Sequence, residues 1–153
     1  MRTSERHPAR ILVIEDSPSD ILLLRHALDE HGDQYEIEVL RDGAQALQFV
    51  AEQRANRQER RPCVIVLDLH LPKHDGLAVL AAIKQEPRLE HVHIVALSSF
   101  ASPHDEAELR ALGARMYCEK PMDVDGWLKL AGDILALCRE PAVSTVFSRE
   151  DSH

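Results

Sequence analysis

Short apolar segments alternate with longer amphipathic segments along most of the chain. Five short segments are rich in apolar and β-branched residues and predict strands, at residues 10–14, 36–40, 63–67, 93–97 and 115–118. Between them, apolar positions recur every three or four residues, which predicts helices after Ser17, after Asp42-Gly43, and over residues 76–85, 103–112 and 124–138. The pattern is therefore a repeated unit of one strand followed by one helix.

Two of the predicted helices begin with the same capping signal. Residues 17–20 and residues 102–105 each place a serine at the N-cap, a proline at the first helical position and an aspartate at the third. Gly32 and Gly113 predict where these two helices end, because glycine tolerates the left-handed conformation that closes many helices. The capping signals and the hydrophobic pattern therefore agree on both boundaries.

A regular alternation of strands and helices predicts the α/β class, with a parallel sheet covered by helices on both faces. The segment at residues 63–67, CVIVL, is apolar throughout, as expected for a strand that is buried on both faces. Right-handed crossovers and the doubly wound strand order 2-1-3-4-5 give a flavodoxin-like (βα)5 fold. This order opens a crevice at the carboxyl ends of the first and third strands, where ligands bind.

The length of 153 residues fits a single domain. We expect a polar segment at residues 1–9, an α/β domain at residues 10–139 and a polar tail at residues 140–153. Two interpretations of the tail stay open, because its few apolar residues could take part in a dimer contact or the segment could be disordered.

Composition and charge narrow the classes of function. Hydrophobic residues make up 44% of the chain and charged residues 29%, which is typical of a globular protein. No apolar run approaches the roughly 18–20 residues that span a bilayer, and the polar N-terminus does not resemble a secretory signal. We therefore expect a cytoplasmic protein with no membrane contact. The net charge of −8 argues against a nucleic-acid partner, which needs a basic surface.

The cysteines and the one basic stretch offer no evident site. Cys63, Cys118 and Cys138 are odd in number and far apart, so we expect neither a disulfide framework nor a zinc site. The arginine-rich stretch at residues 54–61 is mixed with polar residues and is interpreted as a solvated helix end and loop.

Polar residues lie just past the ends of four of the five predicted strands. Glu15 and Asp16 follow the first strand, Asp68 follows the third, Ser98 the fourth and Lys120 the fifth. In a doubly wound sheet these strand ends meet at one crevice. Three carboxylates brought together repel one another, and a hard divalent cation with oxygen ligands, such as Mg²⁺, is the simplest stabiliser.

An acidic Mg²⁺ pocket with one lysine and one hydroxyl suits a phosphoryl group, whose transfer needs mainly positioning and charge stabilisation. Neither glycine-rich phosphate-binding motif occurs in the chain, so a nucleotide substrate is poorly supported. The phosphoryl acceptor is then part of the protein, and a carboxylate is a known type of nucleophile. Asp68 is the candidate, because it ends a buried strand at the crevice.

Taken in order, these motifs resemble the receiver domains of two-component response regulators. The resemblance covers about residues 10–138 and rests on Glu15-Asp16, VIVLDLHLP at residues 64–72, Asp75-Gly76, Ser98 and Lys120-Pro121. It implies that Asp68 accepts a phosphoryl group from a histidine of a sensor kinase. The first acid is Glu15, where the family more often has aspartate, and the family tolerates this departure.

The resemblance also implies roles for the individual residues of the site. The groups that would hold Mg²⁺ are Glu15, Asp16, Asp68 and the backbone carbonyl of His70. Ser98 and Lys120 would bind the phosphoryl oxygens, and Tyr117 would change rotamer together with Ser98 on activation.

Three further expectations come from the resemblance. His70 and Phe100 border the route of the hydrolytic water, and we expect them to tune the lifetime of the phosphorylated state, with Phe100 shielding the acyl phosphate. The peptide between Lys120 and Pro121 is expected to be cis, against a base rate of roughly 5–6% for such bonds. We expect no enzyme activity on a separate substrate, although the domain would catalyse its own phosphorylation and slow dephosphorylation.

The expected output is a change in protein–protein contacts, because no effector domain is evident in the chain. We expect a homodimer formed through helix 103–112, strand 115–118 and helix 123–138. The lengthened segment at residues 54–61 and the stretch at residues 71–76 resemble those of stand-alone receivers that serve phytochrome-type histidine kinases.

Two other functions stay open on the residues alone. A Mg²⁺-dependent phosphatase or phosphotransferase with an aspartyl intermediate usually has a second acid two residues after the nucleophile, and that position here is His70. A pseudo-receiver that has lost phosphorylation would not be expected to keep the acids together with Ser98 and Lys120. Each acid also has a plainer interpretation, since Glu15 and Asp16 would favour the dipole of the helix that follows them.

Overall fold

The computed structural model describes residues 8–55, 61–71, 75–100 and 102–140. The strands in these ranges are β1 (Ala9–Ile14), β2 (Tyr35–Leu40), β3 (Val64–Asp68), β4 (His93–Ser98) and β5 (Met116–Glu119). The α-helices are α1 (Pro18–Glu30), α2 (Gly43–Ala55), α3 (Gly76–Gln85), α4 (Pro103–Ala111) and α5 (Val124–Cys138). A short 3-10 helix, Pro87–Leu89, links α3 to β4. The predicted alternation of strands and helices is confirmed.

Parts of several predicted segments lie outside the described residues. These parts are residues 1–7 of the N-terminal segment, residues 56–60 of the arginine-rich stretch, residues 72–74 of the loop after β3, and residues 141–153 of the tail. The domain boundaries drawn at residues 10 and 139 stay predictions. None of the described helices is both long and apolar enough to cross a membrane.

The strands form one parallel sheet in the order β2-β1-β3-β4-β5, so the predicted doubly wound, flavodoxin-like topology is confirmed. Ile14 at the end of β1 pairs with Leu40 of β2 and with Leu67 of β3. Leu67 also pairs with Ala96 of β4, which pairs with Tyr117 of β5. This register aligns the carboxyl ends of the strands along one edge, where the polar residues follow.

Alternate residues of β1 face opposite layers of the molecule. Ile11 and Val13 pack with α1 and α5, whereas Leu12 and Ile14 pack with α2 and α3. Every residue of β3 is buried, as the apolar segment predicted. Because burying an aliphatic side chain stabilises a fold by about 1.5–3 kcal/mol, the two apolar layers hold the sheet firmly from both sides.

The two predicted capping signals operate as expected. The Ser17 hydroxyl accepts a hydrogen bond from the backbone N–H of Asp20 at 3.3 Å, and the Ser102 hydroxyl accepts one from Asp105 at 3.2 Å. Gly32 and Gly113 follow α1 and α4 with φ of +78° and +104°. A side chain at either position would be strained, which explains why glycine ends these helices.

The end of α2 is held by charged side chains. Arg54 lies 3.4 Å from the buried carboxylate of Glu86. The guanidinium groups of Arg61 and Arg88 each donate to the backbone carbonyl of Gln53 at 3.4 Å. Cations at the C-terminal end of a helix favour its dipole, so the described part of the arginine-rich stretch serves as a helix end, as interpreted.

The expectation that no disulfide forms is wrong. Cys63, just before β3, is bonded to Cys138 at the end of α5, with a Cα–Cα distance of 5.1 Å. The two residues are 75 positions apart, and they meet because α5 packs on the same layer as β1 and β3 and ends beside the start of β3. The spacing of the cysteines in the sequence does not predict a disulfide between two such distant residues. Cys118 is a free thiol, and burial raises its pKa to about 11.

Candidate functional site

Three carboxylates converge at the carboxyl edge of the sheet. Because Ile14 pairs with Leu67, the next residues on the two strands, Glu15 and Asp68, lie side by side. Asp16 joins them, and one oxygen from each of the three carboxylates lies within 4.8 Å of the other two. Glu15 and Asp68 are each only 4% exposed. Such a set of oxygen ligands suits a hard divalent cation.

The electrostatics of Glu15 show how crowded these acids are. Burial raises the pKa of Glu15 to about 7, the hydrogen bond from Lys120 opposes that rise, and the charge of Asp68 adds to it. A buried carboxyl that holds its proton this firmly is one where a metal ion can replace the proton. The three acids therefore fit a divalent metal ion.

Lys120 follows β5 and reaches into the acidic cluster from the opposite side. Its Nζ lies 3.0 Å from Glu15 Oε1 and 3.4 Å from Asp68 Oδ2. A third carboxylate, that of Asp20 in α1, lies 2.8 Å from the same nitrogen. Burial lowers the pKa of Lys120, but the hydrogen bonds to Asp20 and Glu15 and the charges of the acids outweigh burial and hold it above its usual range. Lys120 is therefore charged at every physiological pH.

The two oxygens of the Asp68 carboxylate have different partners. Oδ1 accepts a hydrogen bond from the backbone N–H of His70 at 2.9 Å. Oδ2 faces the ammonium group of Lys120. The carboxylate is therefore held in one orientation at the end of β3, with a cation beside it.

Ser98 ends β4 and is buried. Its hydroxyl oxygen accepts a hydrogen bond from the Phe100 backbone N–H at 3.1 Å and lies 3.1 Å from the Phe100 carbonyl, to which it donates. The Nε2 atom of His70 lies 3.2 Å from the same hydroxyl. The backbone of the loop after β4 and the imidazole of His70 therefore both hold the Ser98 hydroxyl in place.

Tyr117 on β5 has a buried hydroxyl that lacks a hydrogen-bond partner among the described residues. Its ring packs with the layer that α2 and α3 cover, next to Ala96 of β4 in the strand register. A buried hydroxyl without a partner costs about 1–3 kcal/mol, which the packing of the ring offsets. The side chain of Phe100, in contrast, is 83% exposed.

The expectation of a cis peptide between Lys120 and Pro121 is wrong. No peptide bond among the described residues is cis, and both residues are described. The trans form is favoured by about 0.5–1 kcal/mol even before proline. With this peptide trans, Lys120 already reaches three carboxylates, so the cluster does not require the less stable isomer.

Asp20, which lies against Lys120 beside the acidic cluster, is not among the site residues that the sequence predicts. The sequence predicts a place for it in the capping signal of α1, and its backbone N–H does bond to Ser17. The sequence feature that indicates a role for Asp20 in the site is its position four residues after Asp16, at the end of α1 that faces the crevice. The structure thus brings together Glu15, Asp16, Asp68 and Lys120, with Ser98 bonded to His70 beside them.

This arrangement defines a class of protein. Three acids suited to a divalent cation, two of them buried, lie with a lysine at the carboxyl ends of a 2-1-3-4-5 sheet, and this arrangement suits a phosphoryl group. Residues 11–131 match the response regulator receiver domain family, and the chain belongs to that family. It is therefore a receiver domain of the two-component phosphorelay class.

Individual relatives agree in sequence and in structure. Over 134 residues the chain is 34% identical to the response regulator Rcp1 of Synechocystis sp., covering 88% of this chain and 91% of that protein. The crystal structure of the Mn²⁺-bound form of Rcp1 superposes with a TM-score of 0.72 at 35% identity, covering 83% of this chain and 91% of that chain. The phosphorylated cyanobacterial phytochrome response regulator RcpA gives a TM-score of 0.73 at 32% identity, covering 84% and 91%.

Proposed function

We propose that this protein is a response regulator whose Asp68 accepts a phosphoryl group from a histidine of a sensor kinase. The observation that carries the proposal is the Asp68 carboxylate itself. It is 4% exposed, bonded to the His70 N–H at 2.9 Å, and faced by the Lys120 ammonium at 3.4 Å within a cluster of acids. A buried acid with this environment is poorly explained as the plain end of a strand.

In the proposed reaction, an oxygen of Asp68 attacks the phosphorus atom and forms an acyl phosphate. The bond from phosphorus to the kinase imidazole breaks, and its electron pair returns to the imidazole nitrogen. Lys120 and Ser98 bind the phosphoryl oxygens and offset the charge that develops on them. Hydrolysis reverses the state, since water attacks the same phosphorus and releases inorganic phosphate and the free carboxylate.

The proposed metal ion is Mg²⁺, and its contribution is to neutralise negative charge between the acids and the phosphoryl group. The groups that would hold it are Glu15, Asp16, Asp68 and the backbone carbonyl of His70. The oxygens of the three acids lie within 4.8 Å of one another, which supports this assignment. The Mn²⁺-bound form of Rcp1 shows that a similar protein takes a divalent cation.

The proposed switch couples Ser98 to Tyr117. When Ser98 turns toward a phosphoryl oxygen, it leaves its bonds to Phe100 and His70. We propose that the space it vacates admits the ring of Tyr117, whose hydroxyl has no partner among the described residues in its present rotamer. The altered surface on α4, β5 and α5 would then form a homodimer through residues 103–112, 115–118 and 123–138.

Two residues are proposed to set how long the phosphorylated state lasts. The imidazole of His70, beside Ser98, lies where it would influence the approach of water. Phe100 is proposed to shield the acyl phosphate, and its exposure of 83% means that no tight packing holds its ring away from the site. Autocatalysed phosphorylation and slow hydrolysis are parts of the same proposal, with no separate substrate.

The proposed partner is a histidine kinase of the phytochrome type. RcpA, at 32% identity over 84% of this chain, is a phytochrome response regulator, and that similarity supports the proposal. A net charge of −8 makes a nucleic-acid partner unfavourable. We propose a cytoplasmic location without membrane contact, and membership of the receiver domain family supports this proposal.

The test is phosphorylation by acetyl phosphate in the presence of Mg²⁺, followed by intact mass. The wild-type chain is expected to gain one phosphoryl group, and Asp68→Asn and a Mg²⁺-free sample are expected to gain none. Asp75→Asn is the matched control, because it removes an acid from the neighbouring loop. This variant should gain one phosphoryl group like the wild type. A wild-type chain that gains no phosphoryl group, or an Asp68→Asn variant that does, would contradict the proposal.

A further inference from the structure

The ammonium group of Lys120 has more partners than the metal site accounts for. It has three N–H donors, and it lies within 3.4 Å of three carboxylates, those of Glu15, Asp20 and Asp68. Glu15 and Asp68 belong to the acidic cluster that fits a divalent cation. Asp20 does not belong to that cluster among the described residues, yet its distance of 2.8 Å to Lys120 Nζ is the shortest of the three.

The position of Asp20 is fixed by the start of α1. Ser17 is the N-cap, Pro18 occupies the first helical turn, and the backbone N–H of Asp20 donates to the Ser17 hydroxyl. The side chain of Asp20 is 23% exposed and bonds to a residue 100 positions away in sequence. A carboxylate in the first turn also interacts favourably with the helix dipole, which helps to keep Asp20 in this place.

We infer that Asp20 is a positioning residue for Lys120 in the phosphoryl-transfer reaction. Once a cation engages Glu15 and Asp68, those two acids no longer compete for the ammonium group, and Asp20 keeps its contact. Asp20 then retains one N–H of Lys120 and directs the other two toward the phosphoryl oxygens on Asp68. This inference rests on the proposed function, and it adds a residue that the receiver motifs named above do not contain.

A plainer role for Asp20 makes a different prediction. An aspartate that only stabilises the start of α1 would affect the stability of the helix and would leave the Lys120 ammonium signal unchanged. An aspartate that only draws Lys120 away from the phosphoryl group would slow phosphorylation, so its removal would raise the rate. The positioning role predicts the opposite sign, together with a change in the ammonium group itself.

The experiment compares wild type with Asp20→Asn, Asp20→Glu and the control Glu30→Gln. Glu30 lies in the same helix, ten residues or roughly 15 Å from Asp20, and its removal changes the net charge by the same amount. The chain has four lysines, so ¹⁵N-detected signals of the Lys120 ammonium group can be assigned with a Lys120→Met reference. These signals are recorded with and without Mg²⁺, and Mg²⁺ affinity and the rate with acetyl phosphate are measured on the same samples.

In the Mg²⁺-saturated wild type, we expect a slowly exchanging Lys120 ammonium signal that Asp20→Asn loses and Asp20→Glu retains. The rate with acetyl phosphate should fall about tenfold in Asp20→Asn, with Mg²⁺ affinity within about threefold of wild type, because misplacement of one reacting group costs up to about a hundredfold. Glu30→Gln should match the wild type in all three measurements.

An Asp20→Asn protein with an unchanged Lys120 signal, or with an equal or higher rate, would overturn the inference. The two proposals fail separately. If the wild type takes up no phosphoryl group, the proposed function fails, whereas the ammonium signals still decide whether Asp20 holds Lys120 in the metal-bound protein.

Discussion

The bond between Cys63 and Cys138 offers the sharpest test of the fold. It joins the residue before β3 to the last residue of α5, so it closes a loop across 75 positions. In the chain-entropy treatment, closing a loop of this length reduces the entropy of the unfolded chain by an amount equivalent to about 4.5 kcal/mol. Measured losses are usually about 2–4 kcal/mol, and we expect reduction to lower the free energy of unfolding by about that amount.

Reduction should not remove the fold itself. The end of α5 is also held by the carboxylate of Glu140, which lies 3.0 Å from Arg115 and 3.3 Å from His93. The ring of Trp127, the only tryptophan, is buried in the apolar layer that α5 covers. The helix therefore keeps both apolar and polar contacts with the sheet when the two thiols separate.

The assay is urea unfolding followed by the fluorescence of Trp127, with and without a phosphine reductant. The double variant Cys63→Ser/Cys138→Ser should have the same free energy of unfolding as the reduced wild type, with or without the reductant. Cys118→Ser should behave like the wild type. Coincident unfolding curves for oxidised and reduced wild-type protein would refute the reasoning. Because thiols are kept reduced in most cytoplasms, the same curves give the stability relevant to the proposed location.

Two further predictions concern the site. Because burial raises the pKa of Glu15 to about 7, Mg²⁺ binding should release more protons at pH 6 than at pH 8, measured by calorimetry in buffers of different ionisation enthalpy. Equal release at both pH values would contradict the assignment of Glu15. A Cβ on Gly76 would lie 2.6 Å from the Leu69 Cα, so Gly76→Ala should destabilise the protein by about 1–3 kcal/mol in urea unfolding, whereas Ala78→Ser on the same helix should change stability by less than about 0.5 kcal/mol.

Most of the site could be predicted from the sequence because its residues sit at strand ends. Glu15 and Asp68 are recognisable where apolar runs stop, and parallel topology places both at one edge. Asp20 was less evident, because an acid at the third position of a helix already has a sufficient local explanation in capping. The sequence therefore predicts only a capping role for Asp20, and the contact with Lys120 is not evident from its neighbours in the sequence.

The sequence by itself determined the order of strands and helices, their caps, and the polar residues that follow each strand. These properties depend on short-range periodicity and backbone propensity, which a single segment carries. Only the tertiary structure decided that Cys63 meets Cys138, that Lys120 takes Asp20 as its nearest acid, and that the Lys120–Pro121 peptide is trans. Those outcomes depend on which side chains the crossovers bring within a few ångströms, and no local pattern encodes distances between residues 75 or 100 positions apart.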